Sequence, residues 1–234
     1  MEWWRYVILI VSSYLLGNVF FAKIISKANH YDIIKSGSGN PGTMNMVRNL
    51  GFVVGLSTLL FDMLKGILPA LLGKWLFGWT GMESNIGLFL GGLSSLVGTI
   101  FPVFYRFKGG KGVAAVYGMF CVANPLLGAF IFVFGFLFLL LFDYASVMSF
   151  FIITILTIYE AFDLGLLTGQ GNIILSCLLF MIFFLIIFAH RLNIFRLLTG
   201  KENRLNFKKS FSKHSSKNKL NKFEKEQIKR KEIG

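Results

Sequence analysis

Long apolar runs, separated by short polar loops, leave this chain few ways to fold. A run of about 20 apolar residues matches the hydrocarbon core of a bilayer. In lipid such a run must satisfy its backbone hydrogen bonds internally, which a helix does. We read apolar segments over residues 5–25, 52–73, 84–104, 112–124, 126–142, 146–163 and 171–190. The fourth is short and ends at Asn124-Pro125, so it reads as either a span or a half-spanning, re-entrant helix. Only 15% of the residues are charged, against about 25% in ordinary soluble domains. The expectation is an all-α polytopic membrane protein of about seven transmembrane helices. A soluble globular enzyme is excluded, and so is intrinsic disorder for the apolar body. The first run is too long for a signal peptide and shows no small-residue cleavage site, so it reads as the first span.

The net charge of +13 is unevenly placed. Residues 191–234 carry 14 Lys and Arg against 4 acidic residues, whereas residues 1–190 carry 10 against 7. The sequence therefore predicts a membrane domain over 1–200 and a basic cytoplasmic tail over 201–234, disordered or weakly helical. Such a tail is drawn to anionic headgroups, at about 1 kcal/mol per cation near the surface. Confined to a tail beside a membrane body, the excess points to lipid and not to nucleic acid. Lys27, Lys35, Arg48, Arg106, Lys108, Lys111 and the tail share one set of loops, which the positive-inside bias places in the cytoplasm. With seven spans the N-terminus lies outside. Trp3, Trp4, Trp75 and Trp79 then fall near the outer interface, where amphipathic rings are favoured. Cys121 and Cys177 sit in apolar stretches and suggest neither a disulfide framework nor a metal site.

Two glycine-rich loops stand out. In the first, Gly37, Gly39 and Gly42 free the backbone to present N–H groups to an anion. Ser38, Asn40 and Asn45 add side-chain donors, and Arg48 adds a fork suited to phosphate. The second, Lys108-Gly109-Gly110-Lys111-Gly112, sets two cations around small residues and leads into a helix start. Each loop also has a plainer reading, as a connector or as positive-inside anchoring. Asp62 and Lys65 lie three residues apart within a span, where charge is costly and marks function or a self-neutralising pair. Ser146 and Ser149 open the sixth segment, and hydroxyls there often only bond back to a carbonyl. His190 and Asn193 close the seventh, where an interfacial role competes with a functional one. All but the buried pair fall on the predicted cytoplasmic side, and a shared anion-binding cleft is the simplest account.

The stretches SGSGNPGTMNMVRNLG, FDMLKGILPALL, GTIFPVFYRFKGGKGVAA and AHRLNIFRLLTGKENRL resemble, in that order, the motifs of the bacterial acyl-phosphate-dependent glycerol-3-phosphate acyltransferases. The resemblance extends over roughly residues 12–205. It implies an integral enzyme of the bacterial cell membrane, active site facing the cytoplasm, that transfers an acyl group from acyl phosphate to the 1-hydroxyl of glycerol 3-phosphate. The product would be 1-acylglycerol 3-phosphate, the first acylation of phospholipid synthesis. No cofactor or metal is implied. The resemblance gives catalytic roles to Ser38, His190 and Asn193. It gives substrate and phosphate binding to the two glycine loops with Arg48, and to Lys108 or Lys111 and Ser146 or Ser149. The chain departs from the usual pattern at Thr99 (commonly His), Thr43-Met44 (commonly Ala-Thr), Asn18 and Phe20 (commonly Ser and Pro) and Asp143 (commonly Arg).

The chemistry fits. Acyl phosphate is an activated anhydride, so no Ser–His–Asp nucleophile is needed. The His-and-Asp signature of thioester-using acyltransferases is absent, because Phe195 stands at the required position. A carrier for phosphorylated metabolites is the rival reading, since intramembrane charges also mark transporters. No internal repeat between the halves supports it.

Overall fold

The computed structural model describes residues 2–169 and 171–211, and these are all helical or loop. Among the described residues the main α-helices are α1 (Trp3–Gly17), α2 (Phe21–Ala28), α3 (Thr43–Leu50), α4 (Phe52–Phe77), α5 (Gly81–Ile100), α6 (Val113–Ala123), α7 (Pro125–Phe142), α8 (Ala145–Asp163), α9 (Ile173–Ala189) and α10 (Arg191–Leu198). Each predicted apolar segment falls on a helix, except the first, which falls on two. Among the described residues, five stretches are long and apolar enough to cross a membrane: α1 with α2, then α4, α5, α7 and α8. The count reaches six if α9 and α10, bent by 55° where they meet, are taken as one span. The fourth segment, α6, has only 11 residues. At about 1.5 Å per residue it is too short to cross the core unaided.

The first segment is broken. α1 stops at Gly17, and α2 restarts after Phe20, whose backbone is extended. The Asn18 side chain turns back to donate to the Tyr14 carbonyl (2.7 Å), and Lys65 takes up the Val19 carbonyl at 3.0 Å. The break between α6 and α7 has a simpler cause. Pro125 cannot continue a helix but suits the first position of a new one, and Asn124 caps it by accepting the Leu127 N–H at 3.0 Å.

α5 is the central helix, packed by α1, α4, α6 and α9. Without a hydrophobic drive between helices in lipid, close packing relies on small residues. A side chain at Gly73 would place its Cβ 2.1 Å from the Gly87 carbonyl oxygen, and one at Gly66 would meet the Ala115 oxygen at 1.7 Å. The backbones therefore touch where these glycines stand. Large side chains such as Phe130, Phe180 and Leu126 project outward, exposed, as a lipid-facing belt requires.

Residues 201–211 follow the body closely, although the sequence reads as the start of a tail there. Leu205 and Phe207 are buried at 1% and 3% exposure, and 207–211 form a helical turn. Phe211 stacks on Phe52 at 4.4 Å between centroids. The rest of the tail, 212–234, lies outside the described residues.

Candidate active site

The ends of α3, α4, α6, α7, α8 and α10 surround one cavity of about 210 Å³. Its polar end is lined by Ser38, Asn40, Arg48, Lys111, Ser146, His190, Asn193, Arg196 and Glu202. Its apolar arm runs between α4 and α7, past Leu56, Leu59, Ile131, Phe132, Phe136 and Leu139. Most of the residues singled out in the sequence thus meet in one place, although they come from five separate stretches of chain.

The first glycine loop is built around Asn45, itself buried at 2% exposure. Its Nδ2 donates to the carbonyls of Ile33 (3.1 Å) and Ser36 (3.0 Å), and its Oδ1 accepts the Ser38 N–H (3.0 Å). Asn49 adds a fourth bond at 3.0 Å. Asn45 therefore spends its hydrogen-bonding capacity on folding the loop. Gly37 adopts φ 58 against it, and a Cβ there would stand 2.4 Å from the Asn45 oxygen, so glycine is required. Gly37 and Gly39 shape the loop without lining the cavity, while Gly42 lies in the wall where α3 begins.

The second loop resolves the two lysines by position. Lys108 is exposed and Gly109 is packed against the Thr99 and Ile100 carbonyls, both outside the lining. Lys111, with Gly110 and Gly112, lines the cavity at the start of α6. The loop is pinned by the Gly110 N–H, which donates to the Thr99 carbonyl at 2.9 Å. Thr99 in turn reaches the Gly17 carbonyl through Oγ1 at 3.2 Å. Two helix starts, those of α3 and α6, consequently open into the same wall, each suited to an anion.

The serines also separate. Ser149 Oγ bonds back to the Ala145 carbonyl at 2.8 Å, whereas Ser146 Oγ donates across the cavity to Glu202 at 2.9 Å. Glu202 is a site residue that its surroundings in sequence, Lys201-Glu202-Asn203-Arg204, do not mark out. Its side chain is 6% exposed and accepts from Ser146, from Asn193 Nδ2 at 2.8 Å and from Arg196 Nε at 3.1 Å. Arg196 is a further site residue, and its place one turn beyond Asn193 on α10 is the signal that marks it. Burial pushes the Glu202 carboxyl up, but the three hydrogen bonds and the charge of Arg196 hold it below its ordinary range.

Arg196 bonds the Glu202 carboxylate directly, and the charge of Glu202 is also felt by Arg48 and Lys111. Burial lowers Lys111 to a pKa of about 8; Glu202 opposes the shift, and Arg196 and Arg48 reinforce it. Arg48 is lowered too, by burial first, but an arginine remains charged. It donates through Nε to the Arg204 carbonyl (3.2 Å) and through an Nη to the Asn203 carbonyl (3.5 Å). The surplus positive charge in a half-buried site is the arrangement that favours an anionic ligand.

His190 is 1% exposed, against the ring of Phe150. Its Nδ1 lies 2.8 Å from the Ile186 carbonyl, an acceptor only, so Nδ1 carries the hydrogen and Nε2 keeps its lone pair. Asp62 and Lys65 form an ion pair at 2.9 Å at the cavity's inner edge. Lys65 also holds the Val19 carbonyl at the α1–α2 break. No group of three His, Cys, Asp or Glu able to hold a metal occurs among the described residues.

Fold and site together define a polytopic helical membrane protein with an anion-ready cavity that continues into an apolar groove. The family model for glycerol-3-phosphate acyltransferases matches residues 7–200. The enzyme of that name from Aquifex aeolicus is 37% identical over 197 residues, covering 84% of this chain and 97% of its own. That from Geotalea daltonii is 38% identical over 202 residues, covering 84% and 96%. The crystal structure of PlsY, an integral membrane glycerol 3-phosphate acyltransferase, in its glycerol 3-phosphate form superposes with a TM-score of 0.73 at 34% identity, covering 85% of this chain and 94% of that one. The chain belongs to the glycerol-3-phosphate acyltransferase family.

Proposed function

We propose that this chain transfers an acyl group from acyl phosphate to the 1-hydroxyl of glycerol 3-phosphate, at a site open to the cytoplasm of a bacterial cell membrane. The observation that carries the reading is the joining of a cationic polar end to an apolar arm in one cavity. One substrate is a small phosphate ester and the other an acyl chain with an anionic head, and the two ends match them. The PlsY structures captured in glycerol 3-phosphate and lysophosphatidic acid forms support the assignment by analogy. Nothing in the cavity favours a carrier for phosphorylated metabolites.

In this reading Arg48, Lys111 and Arg196, with the amides of the two helix starts, hold phosphate groups and offset charge developing on the leaving oxygen. The acyl chain lies in the arm between α4 and α7. The hydroxyl oxygen attacks the acyl carbonyl carbon while His190 Nε2 accepts its proton. The bond between the acyl carbon and the bridging oxygen breaks, phosphate leaves carrying that oxygen, and the proton passes from His190 to it. Asn193 and Ser146 fix Glu202, while Ser38 and Asn40 flank the reacting groups. Most of the rate gain is positioning, because the donor is already activated.

The test is turnover by the purified chain with each donor. Acyl phosphate and glycerol 3-phosphate are expected to give lysophosphatidate and one equivalent of phosphate without ATP. Turnover with acyl-CoA alone would overturn the donor assignment.

A further inference from the structure

Asp143 ends α7 in the left-handed conformation, φ 64, which Asp tolerates better than most residues. Its carboxylate accepts two successive amides of the segment after α10, Asn206 N–H at 2.9 Å and Phe207 N–H at 2.7 Å. Its carbonyl accepts the Leu205 N–H at 2.9 Å. One residue thus grips three consecutive amides, and Arg204 adds a bond to the Tyr144 hydroxyl at 3.2 Å. The gripped segment forms part of the cavity wall through Glu202, Asn203 and Phe207.

Each of those wall residues makes a contact that depends on where the strap lies. Phe207 packs edge-to-face on Phe52 (5.8 Å) and Phe136 (5.6 Å), which border the apolar arm from α4 and α7. The Asn203 and Arg204 carbonyls hold Arg48. Glu202 gathers Ser146, Asn193 and Arg196. Asp143 itself does not line the cavity, and the family match stops at residue 200, before the strap.

We propose that Asp143 is a positioning residue for acyl transfer, latching residues 205–207 so that the strap holds Arg48, Glu202 and Phe207 in place around the substrates. The proposal rests on the reading of the cavity as the meeting place of glycerol 3-phosphate and the acyl donor. A charged acceptor for two amides is among the stronger hydrogen-bond arrangements, and its loss frees the strap without touching a substrate contact.

The test uses the full chain with Asp143→Gly, which keeps the left-handed backbone while removing the carboxylate, and Asp143→Asn, which keeps one acceptor oxygen. Asp143→Gly is expected to raise the KM for glycerol 3-phosphate at least fivefold with kcat changed less than twofold, and Asp143→Asn to fall between it and the parent. Trypsin cleavage after the exposed Lys208 and Lys209 should quicken in the same order. A KM raised less than fivefold in Asp143→Gly, or unchanged cleavage, would overturn the proposal. If Asp143→Gly does not fold, Asp143→Asn is judged alone, and a KM unchanged from the parent rejects the latch. Failure of the parent chain to turn over would count against the acyl-transfer reading instead, while the cleavage rates still decide whether Asp143 holds the strap.

Discussion

Lys111 shows how one side chain's surroundings set its chemistry. Burial, with Arg196 and Arg48 nearby, brings its pKa down to about 8 despite the opposing carboxylate of Glu202. In the function we propose, the form of Lys111 that holds phosphate is the protonated one, so binding is fullest below that value and lost as pH rises through it. The kcat/KM for glycerol 3-phosphate is therefore expected to fall through pH 8 in the parent, and Lys111→Arg should remove that inflexion. Lys111→Ala should cost a charge-assisted hydrogen bond, about 1.5–3 kcal/mol or roughly 10- to 150-fold in KM. A pH–rate profile of the three proteins checks both outcomes. Some roles were legible at this scale and others were not. The spacing of glycines and lysines announces an anion loop, but only the fold separates the exposed Lys108 from Lys111 in the cavity wall. Asn45 reads as a ligand donor in sequence; in the fold it lines the cavity while its side chain braces the loop from within, because three-dimensional neighbours and not residue type claim its hydrogen bonds.

Among the elements, the break between α1 and α2 depends on α4. Lys65 is bound by Asp62 on its own helix and donates across to the Val19 carbonyl, which a continuous helix would have used internally. Removing one member of a buried pair leaves an uncompensated charge, at a cost of about 3–5 kcal/mol, whereas replacing both with apolar residues is often tolerated. Lys65→Met is thus expected to lower thermal stability in detergent sharply, and Asp62→Leu with Lys65→Met to recover much of the loss. Equal loss in the single and double variants would contradict this account of the pair. Apolar run length located every long helix, since lipid leaves the backbone no other partner. It did not reveal the break, which hangs on a hydrogen bond between residues 46 positions apart. Nor did it mark α3 and α10, eight-residue helices whose composition is mixed.

For the whole molecule, the cavity exists only because loops distant in sequence close on one end of the bundle, with the segment after residue 200 as its last wall. Composition could assign that segment a basic tail but could not foresee that Leu205 and Phe207 bury themselves. We propose that this end of the bundle faces the cytoplasm, as the positive-inside bias predicts. Cysteine labelling in a background lacking Cys121 and Cys177 tests it together with the shared pocket. Introduced singly, Ser38→Cys and Lys108→Cys should both react with a membrane-impermeant maleimide from the cytoplasmic face alone. Glycerol 3-phosphate should slow the first, in the cavity wall, and leave the second, outside it, unaffected. Reaction from opposite faces, or no protection of Ser38→Cys at saturating substrate, would contradict a single phosphate-holding pocket on one side of the membrane.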